Sequence, residues 1–70
     1  MKCTIAVKWK YSGETTKEHF PTQAKAFDRW HELRKRGRDG RVVCFWFWAD
    51  CRPEQRSRIS FDEDGTEWFK

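Results

Sequence analysis

Residues 41–49 read Arg41-Val42-Val43-Cys44-Phe45-Trp46-Phe47-Trp48-Ala49. Alternate residues of an extended strand point to opposite faces, so Val43, Phe45 and Phe47 face one way and Val42, Cys44, Trp46 and Trp48 the other. Both faces are apolar. An antiparallel strand ordinarily gives one face to water, so this pattern requires either a central strand covered on both sides or a strand with an exposed aromatic row. The uncharged run from Val42 to Ala49 is far shorter than the roughly 20 residues that cross a bilayer, and no transmembrane helix is expected.

Upstream of this strand, Ala24, Phe27, Trp30 and Leu33 recur at helical spacing, with Lys25, Asp28, Arg29, Glu32 and Arg36 between them. Pro21 ends the preceding element and Thr22 offers an N-cap. Glu32 and Arg36 stand at the i,i+4 spacing that supports a helix. The run Arg34-Lys35-Arg36 suits the negative end of the helix dipole, and Gly37 reads as the stop before the Asp39-Gly40 turn. Earlier still, Lys2 to Tyr11 alternates, with Cys3, Ile5, Val7, Trp9 and Tyr11 opposite Lys2, Thr4, Ala6, Lys8 and Lys10. Ser12-Gly13-Glu14 supplies a turn, and Thr15 to Phe20 reads as a short returning strand.

Downstream, Asp50 to Glu54 is a loop containing Pro53. Gln55 to Phe61 alternates again, with Ser57, Ile59 and Phe61 opposite Arg56, Arg58 and Ser60. Asp62-Glu63-Asp64-Gly65 is a hairpin turn leading into a last strand, Thr66 to Lys70. The expected fold is α+β: an antiparallel sheet of four or five strands with one helix on one face, in the order β(β)αβββ, forming a single domain over residues 1–70. One helix covers one face, so function is sought on the other.

The chain has 70 residues, of which 37% are hydrophobic and 37% charged, yet it carries five Trp, six Phe and Tyr11. A chain of this size hides only about 60% of its unfolded surface, so a few large rings must do most of the burying. Three cysteines without a CxxC spacing fit a reducing compartment, and the second lysine at Lys8 interrupts any signal-peptide hydrophobic region, so a cytoplasmic protein is expected. His19, His31, Cys44 and Cys51 have spacings that match no zinc knuckle or finger. Cys44 or Cys51 with His31 lacks an orienting third group, and Asp62, Glu63 and Asp64 read as a hairpin tip. No enzyme, metal or cofactor is expected.

Charge is unevenly placed within the net +4. Residues 25–60 hold ten cations against five acids, whereas residues 61–70 hold four acids against one cation. Arg34, Lys35, Arg36, Arg38 and Arg41 crowd the end of the helix, and Lys8, Lys10, Arg56 and Arg58 form a stripe on the strands. Guanidinium groups grip phosphates or carboxylates in forked contacts. Aromatics interleaved with cations on an open sheet suit single-stranded DNA or RNA, because bases stack on rings while cations follow the backbone. A homodimer packing Trp46 and Trp48 against their copies would cover the same row.

Thr22-Gln23-Ala24-Lys25 at the helix start and Phe61-Asp62-Glu63-Asp64-Gly65-Thr66-Glu67-Trp68-Phe69 at the end resemble one of the small phage-encoded type I-F anti-CRISPR inhibitors. That family has a (Ser/Thr)-Gln-Ala-Lys helix start and an aromatic-x-Glu-Asp-Gly-x-x-Trp terminal hairpin. The middle strand departs from its pattern. The resemblance implies a non-catalytic inhibitor acting in the host cytoplasm, bound to the backbone subunits of an RNA-guided CRISPR effector complex and blocking target DNA. It carries Lys25 over as a contact residue. From the residues of this chain, Arg29, Arg34, Lys35, Arg36, Arg38, Trp46 and Trp48 are added as candidate partner contacts, with Lys8, Lys10, Arg56 and Arg58 as the nucleic-acid alternative.

Overall fold

In a computed structural model, which describes residues 1–69, the elements run β1 (Cys3–Trp9), β2 (Thr15–Phe20), α1 (Gln23–Arg38), β3 (Val42–Ala49), β4 (Ser57–Phe61) and β5 (Glu67–Phe69). The fold is α+β, with every strand pairing antiparallel and a sheet order of β2-β1-β3-β4-β5. β1 and β3 therefore occupy the interior of the sheet, as their apolar content requires. Thr15 to Phe20 does form a strand, pairing with β1 from Lys8↔Thr15 to Cys3↔Phe20. β4 starts at Ser57 rather than Gln55, which leaves Arg56 in the preceding loop. The last strand is shorter than Thr66 to Lys70, and Lys70 lies outside the described residues.

The core between sheet and helix is built on Ile5, Val7, Leu33, Val42, Phe45 and Ile59, with Trp9, Phe20, Trp30, Phe47 and Phe61 packed around it. Val42 belongs to this side, not with Cys44, Trp46 and Trp48. The register changes between Lys8↔Cys44 and Trp9↔Val42, so β3 carries one extra residue, a bulge that turns Val42 toward the helix. The helix is also rotated from its expected face. Ala26, Leu33 and Gly37 are buried, Ala24 is exposed, and Phe27 stays 41% exposed while stacking on Phe47 with ring centroids 5.4 Å apart.

Thr22 caps the helix, its side chain accepting from the Lys25 backbone N–H at 3.3 Å. The other end corrects the sequence expectation, because Gly37 lies inside the helix and Gly40 terminates it. Gly40 has φ +80°, its N–H reaches the Gly37 carbonyl at 3.0 Å, and the Arg41 N–H reaches that of Arg36 at 2.9 Å. Those two bonds are a Schellman stop. Gly37 serves packing instead: the Phe61 ring lies directly against its Cα, where a methyl group would collide with it. Among the described residues, no helix is long and apolar enough to cross a membrane.

Candidate functional site

The helix occupies one side of the sheet, and strand parity assigns the rest. Thr4, Ala6 and Lys8 of β1 point away from α1 and share their side with Lys17 and His19 of β2, Cys44, Trp46 and Trp48 of β3, Arg58 and Ser60 of β4, and Trp68 of β5. Every charged side chain that the strands place on this open side is a cation: Lys8, Lys17 and Arg58. The sheet carboxylates lie on the other side. Glu18 and Glu67 face the helix, and its arginines take them.

The open side is not bare. The loop after β3 folds back so that the Arg56 guanidinium lies 4.5 Å from the Trp48 ring centroid, held by its Nε donating to the Pro53 carbonyl at 2.9 Å. Trp48 is only 7% exposed in consequence. Arg58 sits over Trp46 at 5.7 Å, and Trp46 remains half-buried. The second apolar face of β3 is thus covered from within the chain, by guanidinium groups that lie over the indole rings. Arg58 Nε is buried with no hydrogen-bond partner among the described residues. Trp68, at the sheet edge, is 55% exposed with its indole N–H donating to Asp62 Oδ2 at 2.7 Å.

Of the four strand-stripe cations, Lys8, Arg56 and Arg58 lie on the open side. Lys10 does not join them. It lies past the end of β1, beside Gly40, Val43, Asp62 and Glu63, with its N–H bonded to the Arg41 carbonyl at 3.0 Å. Lys17 joins the surface instead, a residue that composition alone does not single out. Its signal is the alternation Thr15, Lys17, His19 against Thr16, Glu18, Phe20, once β2 is known to pair with β1. Trp68 is exposed by the same parity on β5.

The helix-side cations are largely engaged. Arg29 binds Glu18 at 3.0 Å and Glu32 at 3.1 Å, and Arg36 binds Glu32 at 3.0 Å. Arg34 binds Glu67 at 2.7 Å and lies 4.8 Å from the Trp30 ring, while Arg38 approaches the same carboxylate at 3.7 Å. The hydrogen bond from Arg36 holds the Glu32 carboxyl below the usual carboxylate range, with the nearby Arg29 charge adding to it. Lys25 and Lys35 are exposed and make no ion pair among the described residues.

The cysteines stand apart from this surface chemistry. Cys3 and Cys44 are buried and Cys51 is exposed, all as free thiols, and burial raises the Cys3 pKa. Among the described residues, no group of three His, Cys, Asp or Glu side chains is arranged to hold a metal ion. No protein-family model matches the chain, and neither a curated protein nor a solved structure shows significant similarity to it.

Proposed function

We propose that this chain is a non-catalytic binding protein that holds a single-stranded nucleic acid on its open sheet face. The segregation of charge across the sheet carries this reading. Carboxylates on the helix side neutralise arginines there, whereas Lys8, Lys17, Arg56 and Arg58 face outward around Trp46 and Trp68. Asp50, bonded to Thr4, and Asp62, bonded to Trp68, are loop carboxylates that reach this side; phosphates neutralise the cations that remain, and bases supply flat partners for the half-buried and exposed indoles. A sheet face of this kind has the shape for splayed bases rather than for a duplex groove.

The test is anisotropy of a fluorescein-labelled oligothymidylate titrated with protein across a salt series. Expected is a log–log salt slope of about −2 to −3, from three or four phosphate contacts at about −0.7 each. A flat slope, or no binding at low salt, overturns the reading.

A second reading keeps the inhibitor suggested by the helix-start resemblance, docked on an RNA-guided CRISPR effector complex. The observation that favours it is Lys25, exposed in the first helical turn beside the Thr22 cap and outside the ion pairs that engage the arginines. Its test is capture of a type I surveillance complex from host extract, weakened by Lys25→Glu. Absence of capture from any type I host removes it.

A further inference from the structure

We propose that His19 is a proton-gated phosphate contact on the open sheet face, a role that rests on the reading of that face as a nucleic-acid surface. Thr4, only 2% exposed, lies between His19 on β2 and Trp48 on β3. Its hydroxyl oxygen is 2.6 Å from Asp50 Oδ1 and 3.1 Å from His19 Nδ1. Asp50 is fixed for this contact by its backbone N–H, which reaches the Lys2 carbonyl at 3.0 Å.

Proton counting sets the tautomer. A hydroxyl owns one proton and an ionised carboxylate can only accept, so Thr4 donates to Asp50. The hydroxyl oxygen must then accept from the histidine, which places a proton on Nδ1. The neutral ring of the exposed His19 consequently turns the bare lone pair of Nε2 outward. A histidine free to choose its tautomer could offer Nε2–H to a phosphate at any pH. The Asp50–Thr4 relay withdraws that option, so His19 donates outward only as imidazolium, and then it also adds positive charge to a face that already presents Lys17.

The surroundings isolate the effect. Asp50 faces the ring through Thr4, Lys17 stands two residues back on the same side of β2, Lys2 continues β1 beside them, and Arg56 lies over Trp48 across Thr4. Among unperturbed side chains only imidazole changes charge between about pH 5 and 8. His31 sits on the helix, edge-on to Trp30 with ring centroids 4.9 Å apart, on the opposite side of the sheet. It provides an internal control.

The experiment measures oligothymidylate affinity at about pH 5.5 and about pH 7.5, at constant ionic strength, beside long-range proton–nitrogen spectra of the histidine rings. Binding is expected to be about tenfold tighter at the lower pH, the scale of an ordinary coupling between two ligands, and nucleic acid must raise the affinity of His19 for its proton by the same factor. His19→Gln should bring the pH ratio within about twofold, while His31→Gln leaves it unchanged. Asp50→Asn offers an amide proton to Thr4 and lets Thr4 donate to Nδ1, so the ring proton moves to Nε2 and binding at neutral pH strengthens. A proton on Nε2 in the neutral wild-type ring overturns the gate, as does a pH ratio that survives His19→Gln. Equal affinity at both pH values removes the gate and leaves the nucleic-acid surface standing, whereas no binding at either pH removes both.

Discussion

The Arg34 guanidinium grips Glu67 in parallel, with Nε 3.1 Å from Oε1 and Nη2 2.7 Å from Oε2. This pair ties the edge strand β5 to the helix, and Glu67 keeps only 15% of its side chain exposed. The hydrogen bonds from Arg34 hold the Glu67 carboxyl below the ordinary carboxylate range, with the Arg38 charge helping, and the Arg34 pKa rises in turn. A carboxyl whose pKa is depressed by folding stabilises the fold above its unfolded pKa and loses that contribution as pH falls through its folded one. Glu67→Gln should therefore cost about 1–2 kcal/mol at neutral pH. The deficit relative to wild type should shrink once pH drops below about 4. Urea unfolding of both proteins at neutral and acid pH checks this; a deficit that does not depend on pH would deny the ion pair its role.

Gly37 gives a prediction opposite to helix propensity. In a helix interior, alanine is favoured over glycine by about 1 kcal/mol, yet the Phe61 ring occupies the space that the added methyl group needs. Gly37→Ala should therefore destabilise the protein, by about 1–3 kcal/mol as overpacking does. Adding Phe61→Leu to Gly37→Ala should return part of the loss in a double-mutant cycle. Thermal unfolding of the two single variants and the double variant measures the coupling, and a stabilised Gly37→Ala would show that the ring moves aside at no cost.

These features mark where sequence reading stops. The succession of elements along the chain, the helix and its Thr22 cap follow from local periodicity and turn chemistry, which the chain carries residue by residue. Gly37 and Gly40 look alike as stop signals, and only the arrival of Phe61 from a distant strand separates packing from termination. The bulge opposite Lys8 and Trp9 is likewise a property of two strands, and it moves Val42 away from the side that simple alternation assigns. Charge partners are non-local too. Glu67 lies 33 residues from Arg34, so a helix end that reads as a free basic cluster is in large part an internal ion-pair system.

Trp46 and Trp48 occupy the same face of the same strand, but their roles diverge. Trp48 is buried beneath Arg56, whereas Trp46 remains half-buried beneath Arg58. Trp48→Ala should cost about 3–5 kcal/mol, as loss of a buried tryptophan does. Trp46→Ala should cost less stability and more oligothymidylate affinity, about 1–3 kcal/mol if a base stacks there. Unfolding and anisotropy measured on both variants separate the two roles, and equal effects in both assays would contradict the difference in burial.

Lys8 and Lys17 allow charge placement to be tested apart from total charge. Both lie on the open side, while Arg36 sits on the helix in an ion pair with Glu32. Lys8→Ala and Lys17→Ala should each weaken oligothymidylate binding and make the salt slope shallower by about 0.7. Arg36→Ala removes the same unit of positive charge and should leave that slope unchanged. Long-range attraction to a +4 protein would instead lower affinity similarly in all three variants, since net charge is indifferent to position. Equal losses would therefore show that net charge drives association, while losses confined to Lys8→Ala and Lys17→Ala would place the phosphates on the sheet.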